Sequence, residues 1–332
     1  MLKRLLPIVA LTVAAFALTS VAASAATVNI FRQSHPWNIC HQGGEDEAPG
    51  NTMYALKRCM KVGGNMLELD IGVTKDNKVI IQHNTTVDSR TSGTGEVDSY
   101  TLAQIQKLDN AHWFSTGADH YSHDKATSAY PFRGIATGKK KPPAGYKASD
   151  FRVASLAEVL KAFPKTPINL EIKGRTTKEA SEEYLTNARV LAAELKNVKR
   201  KDIIVVSFKQ PAVDEFHKLA PRIPVAPGID GMVSFLLNNG SPGDGVVALQ
   251  PPITYDYPGL GRVEISNADW IAKAHAAGYA WQNWFDGPDP DTAVSWAKMV
   301  ERCDDGIMSS SPKLLAAFLK KTKSPAACIK RP

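Results

Sequence analysis

Acidic residues are missing from the first 44 positions of this 332-residue chain, Glu45 being the first, and no apolar run after position 25 is long enough to cross a bilayer. Cysteine is scarce: the four, Cys40, Cys59, Cys303 and Cys328, show no Cys-x-x-Cys spacing, which argues against a redox or zinc role. No dense basic tract with interleaved aromatics occurs, so nucleic acid is not an expected partner, and Lys139-Lys140-Lys141-Pro142-Pro143 reads as a solvated loop. Internal repeats and low-complexity tracts are absent as well. With 43% hydrophobic and 22% charged residues, the composition excludes a disordered or collagen-like chain and supplies enough apolar material for a sizeable core.

What is present begins with Lys3 and Arg4, an apolar stretch from Leu5 to Val21 and the small-residue run Ala23-Ser24-Ala25. This order reads as a secretory signal peptide over residues 1–25, with a secreted or periplasmic destination and no transmembrane anchor after cleavage. An oxidising compartment suits an even cysteine count, and proximity along the chain suggests the pairs Cys40–Cys59 and Cys303–Cys328. Removal of Lys3 and Arg4 with the signal peptide lowers the net charge from +7 to +5, a modest excess that favours anionic surfaces or phosphorylated substrates.

The remaining length admits two domains or a single α/β barrel of about 250 residues. Short β-branched runs near 37–43, 66–73, 79–84, 168–174, 203–208, 223–229, 245–250, 279–285 and 306–309 alternate with amphipathic segments, the pattern of a parallel α/β architecture. Thr52 is placed to cap a helix carrying Met53, Leu56 and Met60, and Ser155-Leu156-Ala157-Glu158 is a capping-box pattern. Tyr184, Ala188, Leu191 and Leu195 share one helical face. Asp289-Pro290 and Ser311-Pro312 each place a cap before a first-turn proline, and Gly278 suits a helix end. Residues from about 85 to 152 break the alternation and read as an insertion on a barrel-end loop, after the third strand-like run.

Strands that are otherwise apolar carry ionisable residues at their ends, in Cys40-His41-Gln42-Gly43, Leu67-Glu68-Leu69-Asp70, Ile81-Gln82-His83-Asn84 and Asn169-Leu170-Glu171-Ile172-Lys173. Because successive side chains alternate faces, Glu68 and Asp70 point one way, as do Glu171 and Lys173. Thr74-Lys75-Asp76-Asn77-Lys78 is turn chemistry; centred on Asp76-Asn77, it pairs Lys75 with Lys78 and sets His83 opposite Asp70. A bulge of one or two residues would move that partner toward Glu68. Three converging carboxylates repel one another unless a hard cation such as Mg²⁺ or Ca²⁺ joins them. Two nearby histidines suit proton exchange, and a lysine suits a phosphate oxygen. These are the parts of metal-assisted phosphodiester cleavage.

In order and spacing, these motifs resemble the glycerophosphodiester phosphodiesterase family, whose pattern runs His-Arg-Gly, Pro-Glu-Asn-Thr, Glu-x-Asp, His-Asp and Glu-x-Lys. Here His41-Gln42-Gly43, Pro49-Gly50-Asn51-Thr52, Glu68-Leu69-Asp70, His83-Asn84 and Glu171-Ile172-Lys173 take those places. Asp88-Ser89-Arg90-Thr91, Val206-Ser207-Phe208 and a late tryptophan, Trp281 or Trp284, extend the likeness. So does Asp305-Gly306-Ile307-Met308-Ser309-Ser310-Ser311-Pro312, which resembles a closing Asp-Gly-Ile-Ile-Thr-Asp-x-Pro run.

The resemblance implies a TIM (β/α)8-type barrel over residues 26–332 and one divalent cation, Mg²⁺ or Ca²⁺, held by Glu68, Asp70 and Glu171. It further implies that His41 and His83 form the acid/base pair and that Lys173 contacts the phosphate of a small-molecule glycerophosphodiester. Gln42 stands in the arginine's place, Gly50 in the glutamate's and Asn84 in the aspartate's, which leaves the phosphate grip to Arg90, Lys173 or a residue of the insertion. Lys173, Gln42, Arg90 and Trp284 are the expected substrate contacts, and Trp281 and Trp284 read as a substrate wall, with core packing as the alternative for one of them. His120 and His123 read as exposed loop, and His112-Trp113-Phe114 as a lipid-facing lip. The expected activity is hydrolysis to glycerol phosphate and an alcohol. Two alternatives stand beside it: lysophospholipase D-like action on a lysophospholipid, if the insertion exposes apolar surface at the mouth, and a non-catalytic head-group-binding barrel.

Overall fold

The structure is a computed structural model that describes residues 29–116, 120–257, 259, 261–286 and 289–329; the expected signal peptide lies outside the described residues. The strands are β1 (Trp37–Cys40), β2 (Met66–Val73), β3 (Val79–Ile81), β4 (Ile168–Ile172), β5 (Ile203–Val206), β6 (Ala248–Leu249), β7 (Thr254–Tyr257), β8 (Gly261–Glu264), β9 (Ala280–Trp284) and β10 (Gly306–Ser309). The first five helices are α1 (Met53–Val62), α2 (Leu102–Ile105), α3 (Leu156–Ala162), α4 (Ser181–Leu195) and α5 (Gln210–Leu219). The rest are α6 (Ile229–Asn238), α7 (Ala268–Ala276), α8 (Ala293–Arg302), α9 (Pro312–Leu319) and α10 (Ala326–Ile329).

The parallel strands follow the order β5-β4-β2-β1-β10-β9-β6. Val225 closes the gap between the ends of this path by bridging Val205 on one side and Val246 on the other, both in parallel. The strand expected at 223–229 contracts to that one bridging residue because Pro224, Pro227 and Gly228 interrupt it, and proline cannot donate to a ladder. The result is a TIM-type α/β barrel. Thr52 caps α1 by accepting from the Ala55 amide, and Ser155 with Glu158 closes the capping box of α3. Asp289 caps no helix: α8 begins later, at Ala293, and Asp289 Oδ2 instead accepts from the amide and hydroxyl of Thr254.

Alternation along the strands sorts the core into two layers. Leu67, Leu69 and Ile71 of β2 and Ile168, Leu170 and Ile172 of β4 pack outward against the helices. Ile39, Met66, Ile204, Ala248, Ala280 and Met308 fill the barrel, with Phe31 among them. Both expected disulfides are present: Cys40–Cys59 ties β1 to α1, and Cys303–Cys328 ties the end of α8 to α10.

β3 is not a barrel strand. It runs antiparallel to β2 in the register Ile71↔Ile81, Gly72↔Ile80, Val73↔Val79. The turn is therefore centred on Asp76 alone, and Gln82, not His83, stands opposite Asp70, its amide donating to the Asp70 carbonyl. The cause is Asn77, whose φ of 54° lets a three-residue loop close where a two-residue turn was expected. The described residues of 85–152 then form short turns around α2 and pack on the barrel through two small clusters, one around Ile80, Val87 and Ile105, the other around Ala111, Ile135 and Phe151. The β7–β8 hairpin was not anticipated; its alternation is weak and its β8 side chains are largely exposed.

Candidate metal centre and active site

Parallel pairing of β2 with β4 puts Asp70 directly beside Glu171, and the period of two brings Glu68 onto the same inner face. One carboxylate oxygen from each of Glu68, Asp70 and Glu171 lies within 4.8 Å of the others. Glu68 and Asp70 are buried and Glu171 half-buried. Lys173 Nζ, just beyond the end of β4, stands 2.7 Å from Glu171 Oε1 and 3.2 Å from Asp70 Oδ1.

A single lysine does not balance three carboxylates, and the protonation pattern records the imbalance. Burial, then the Asp70 charge, pushes Glu68 up to about 8. Burial also opposes ionisation of Asp70, yet Lys173, His83 and His41 outweigh it and hold that group down at about 2. Burial raises Glu171 against the pull of Lys173. An all-oxygen donor set whose members cannot all ionise together fits a hard divalent cation such as Mg²⁺ or Ca²⁺. Glu68, Asp70 and Glu171 can hold such an ion.

His41 follows β1 in a single helical turn. Its Nε2 lies 3.9 Å from Glu68 Oε2, while Nδ1 faces Ser310 Oγ at 3.1 Å and Glu45 Oε1 at 3.0 Å. Burial would lower its pKa, but Glu45 foremost, then Glu68 and Asp70, raise it to about 10. His83 lines the same cavity from the β3 side; Asn84 Oδ1 accepts from its Nδ1 at 2.6 Å, and Asn84 Nδ2 donates to Ser89 Oγ. Asn84 thus orients the ring in the place of the pattern's aspartate.

The other expected residues divide into two groups. Lys173 and Trp284 line the cavity of about 280 Å³ that opens from the carboxylates; Trp284 is braced edge-on by Phe208 and donates Nε1–H to the Gln250 carbonyl. Trp281 is core, fully buried against α7. Gln42 and Arg90 are buried behind the centre and do not line the cavity. The Gln42 amide donates to Glu68 Oε2 at 2.8 Å, and its side-chain oxygen accepts from Asn51, which also donates to Asp70 Oδ2. Gln42 reaches this position with a φ of 51°.

Two expectations for the insertion are overturned. The run from His120 is not all exposed loop: His120 is half-buried, 4.0 Å from Glu45 Oε2 and 3.8 Å from Asp46 Oδ1, and Tyr121 packs under Arg90. His112-Trp113-Phe114 makes no lipid-facing lip, because Phe114 is fully buried and Trp113 stacks on His123 and Arg133. Apolar surface instead faces the cavity from α6, from β7 and from the end of β9, through Ile229, Met232, Leu236, Tyr255 and Phe285. Sequence reasoning missed this wall and Glu45, and it placed Asn51 in a motif without giving it a role. The only available signal for the wall was the apolar character of 229–237.

Residues 41–235 match the model of the glycerophosphoryl diester phosphodiesterase family. A glycerophosphodiester phosphodiesterase of Bacillus subtilis (strain 168) is 29% identical over 65% of this chain, an alignment that spans 67% of the relative. Among solved structures, a glycerophosphoryl diester phosphodiesterase-like protein of Silicibacter pomeroyi superposes with a TM-score of 0.63 at 18% identity, covering 87% of this chain and 95% of that one. An Oleispira antarctica phosphodiesterase in complex with sn-glycerol-3-phosphate superposes with a TM-score of 0.61 at 17% identity, covering 86% and 98%. The family match spans both histidines, the three carboxylates and Lys173, and the shared barrel carries them at one end. The chain belongs to the glycerophosphoryl diester phosphodiesterase family, whose members are phosphoric diester hydrolases.

Proposed function

We propose that this protein hydrolyses glycerophosphodiesters to glycerol phosphate and an alcohol, with a divalent cation at Glu68, Asp70 and Glu171 and with His41 and His83 as the acid/base pair. The observation that carries this reading is the convergence of three carboxylates on one rim of the barrel between two imidazoles. A bound Mg²⁺ or Ca²⁺ supplies positive charge for the phosphate oxygens. Lys173 adds a second positive group against the phosphate once a cation satisfies the carboxylates it now pairs with. The attacking oxygen forms a bond to phosphorus as the bond from phosphorus to the alcohol oxygen breaks. One histidine takes the proton of the attacking group, and the other gives a proton to the leaving alcohol. Trp284 walls the substrate, whereas Gln42 and Arg90 act from behind by holding Glu68 and Glu45. Export to an oxidising compartment is supported by the two disulfides.

The test is turnover of a panel of glycerophosphodiesters with and without chelator. Chelation is expected to abolish turnover, and His41→Ala and Glu68→Ala should each lose about 10²- to 10⁴-fold in kcat. Full activity in both variants would overturn the site assignment. Undetectable turnover with Mg²⁺, Ca²⁺ and Mn²⁺ despite measurable ligand binding would make the protein a binding barrel.

The apolar wall favours a second reading. A glycerol or choline group alone has no use for Ile229, Met232, Leu236 and Phe285 beside the phosphate, whereas the single acyl chain of a lysophospholipid has.

A further inference from the structure

His41 is a surface-end histidine on a short turn, and its ring needs a partner on Nδ1 if Nε2 is to face the substrate. Two groups reach that nitrogen, Ser310 Oγ at 3.1 Å and Glu45 Oε1 at 3.0 Å. In the family pattern position 310 carries an aspartate; here it is a serine. The carboxylate at Nδ1 comes instead from Glu45, a residue that none of the motifs contains.

Glu45 is itself held. Its second oxygen accepts from Arg90 Nη2 at 3.0 Å. The Arg90 guanidinium lies 4.3 Å over the Tyr121 ring, and its Nη1 donates to Tyr121 Oη at 3.3 Å. That hydroxyl in turn accepts from the Gly50 amide at 2.7 Å. Arg90 is only 5% exposed, so the charge it buries requires the Glu45 partner.

Gly50 explains why the device excludes the family's own. A Cβ at position 50 would lie 2.8 Å from Arg90 Nη1 and 2.9 Å from Glu45 Cβ. The glutamate of the pattern would displace the Arg90–Glu45 pair from its present place.

We propose that Glu45, locked by Arg90 and Tyr121, is the positioning residue of His41, fixing its ring with Nε2 toward the metal centre. The proposal rests on His41 being catalytic, and its test separates the two. In the cation-free protein the His41 Nδ1 proton is expected at strongly downfield chemical shift and should lose that shift in Glu45→Gln. Absence of the resonance shift in the wild type, or its persistence in the variant, overturns the positioning role whatever the activity. In assays on glycerophosphocholine, Glu45→Gln is expected to lower kcat by about 10- to 100-fold with KM little changed. Adding Ser310→Asp to that variant returns a carboxylate to the pattern's position and should restore most of the loss. A merely structural glutamate predicts no such rescue, so an unrescued or absent loss counts against the proposal. If the wild type turns over no glycerophosphodiester while the Nδ1 signature holds, the proposed function falls and the positioning contact stands.

Discussion

Asp304 shows what burial does to a single group. It is 1% exposed, neither carboxylate oxygen has a hydrogen-bond partner among the described residues, and burial followed by the Asp305 charge drives its pKa well upward. A carboxyl whose folded pKa is raised supports the fold below its ordinary range, and that support is lost as pH rises from there toward the folded value. Asp304→Asn removes the loss. The variant should raise the melting temperature more at pH 8 than at pH 4, and an equal shift at both would show that Asp304 ionises in the fold at no cost. At the same scale, single residues decide how motifs are used. Gln42 enters the left-handed region and turns its amide onto Glu68, so the side chain that replaces an arginine ends among Asn51 and the buried carboxylates rather than in the cavity.

Elements are positioned by how their ends are tied. The Cys40–Cys59 bridge closes a 19-residue separation and pins α1 against β1, directly beneath His41. Gly64 makes room for it, since a Cβ there would come within 2.6 Å of Cys40 Sγ. Replacing both cysteines by serine is expected to cost about 3 kcal/mol of stability, read from urea unfolding, mainly through the freer unfolded chain. An unchanged midpoint would mean that the bridge adds nothing to the fold. The β2–β3 hairpin shows the limit of reading elements from letters. Its two arms and its turn were legible from alternation and polarity, but the register depended on the backbone of Asn77, and a slip of one residue exchanges the faces of every side chain. His83 still reaches the centre because it lies past the paired segment, where the chain bends.

For the whole molecule, the cavity is assembled from parts distant in sequence: His41 from the first turn, Glu171 and Lys173 from β4, α6, and Trp284 from β9. If its apolar side holds an acyl chain, lysophosphatidylcholine should be hydrolysed, and kcat/KM should rise by up to about fourfold for each methylene that becomes buried. Met232→Trp fills that side. It should lower kcat/KM for lysophosphatidylcholine by about tenfold or more and leave glycerophosphocholine nearly unaffected. Equal losses on both substrates would place Met232 against the head group and remove the lipid reading.

Chain proximity only suggested the disulfide pairs, which the tertiary structure decided, whereas the sequence by itself determined the alternation of strand and helix and the shared faces of Glu68 with Asp70 and of Glu171 with Lys173. These follow from local periodicity and from the rarity of charge on buried strands. Only the tertiary structure decided that Glu45 and Arg90 stand behind His41, that Trp284 rather than Trp281 faces the cavity, and that α6 supplies its apolar wall. Such contacts join residues tens or hundreds of positions apart, and no local pattern encodes the distance between them.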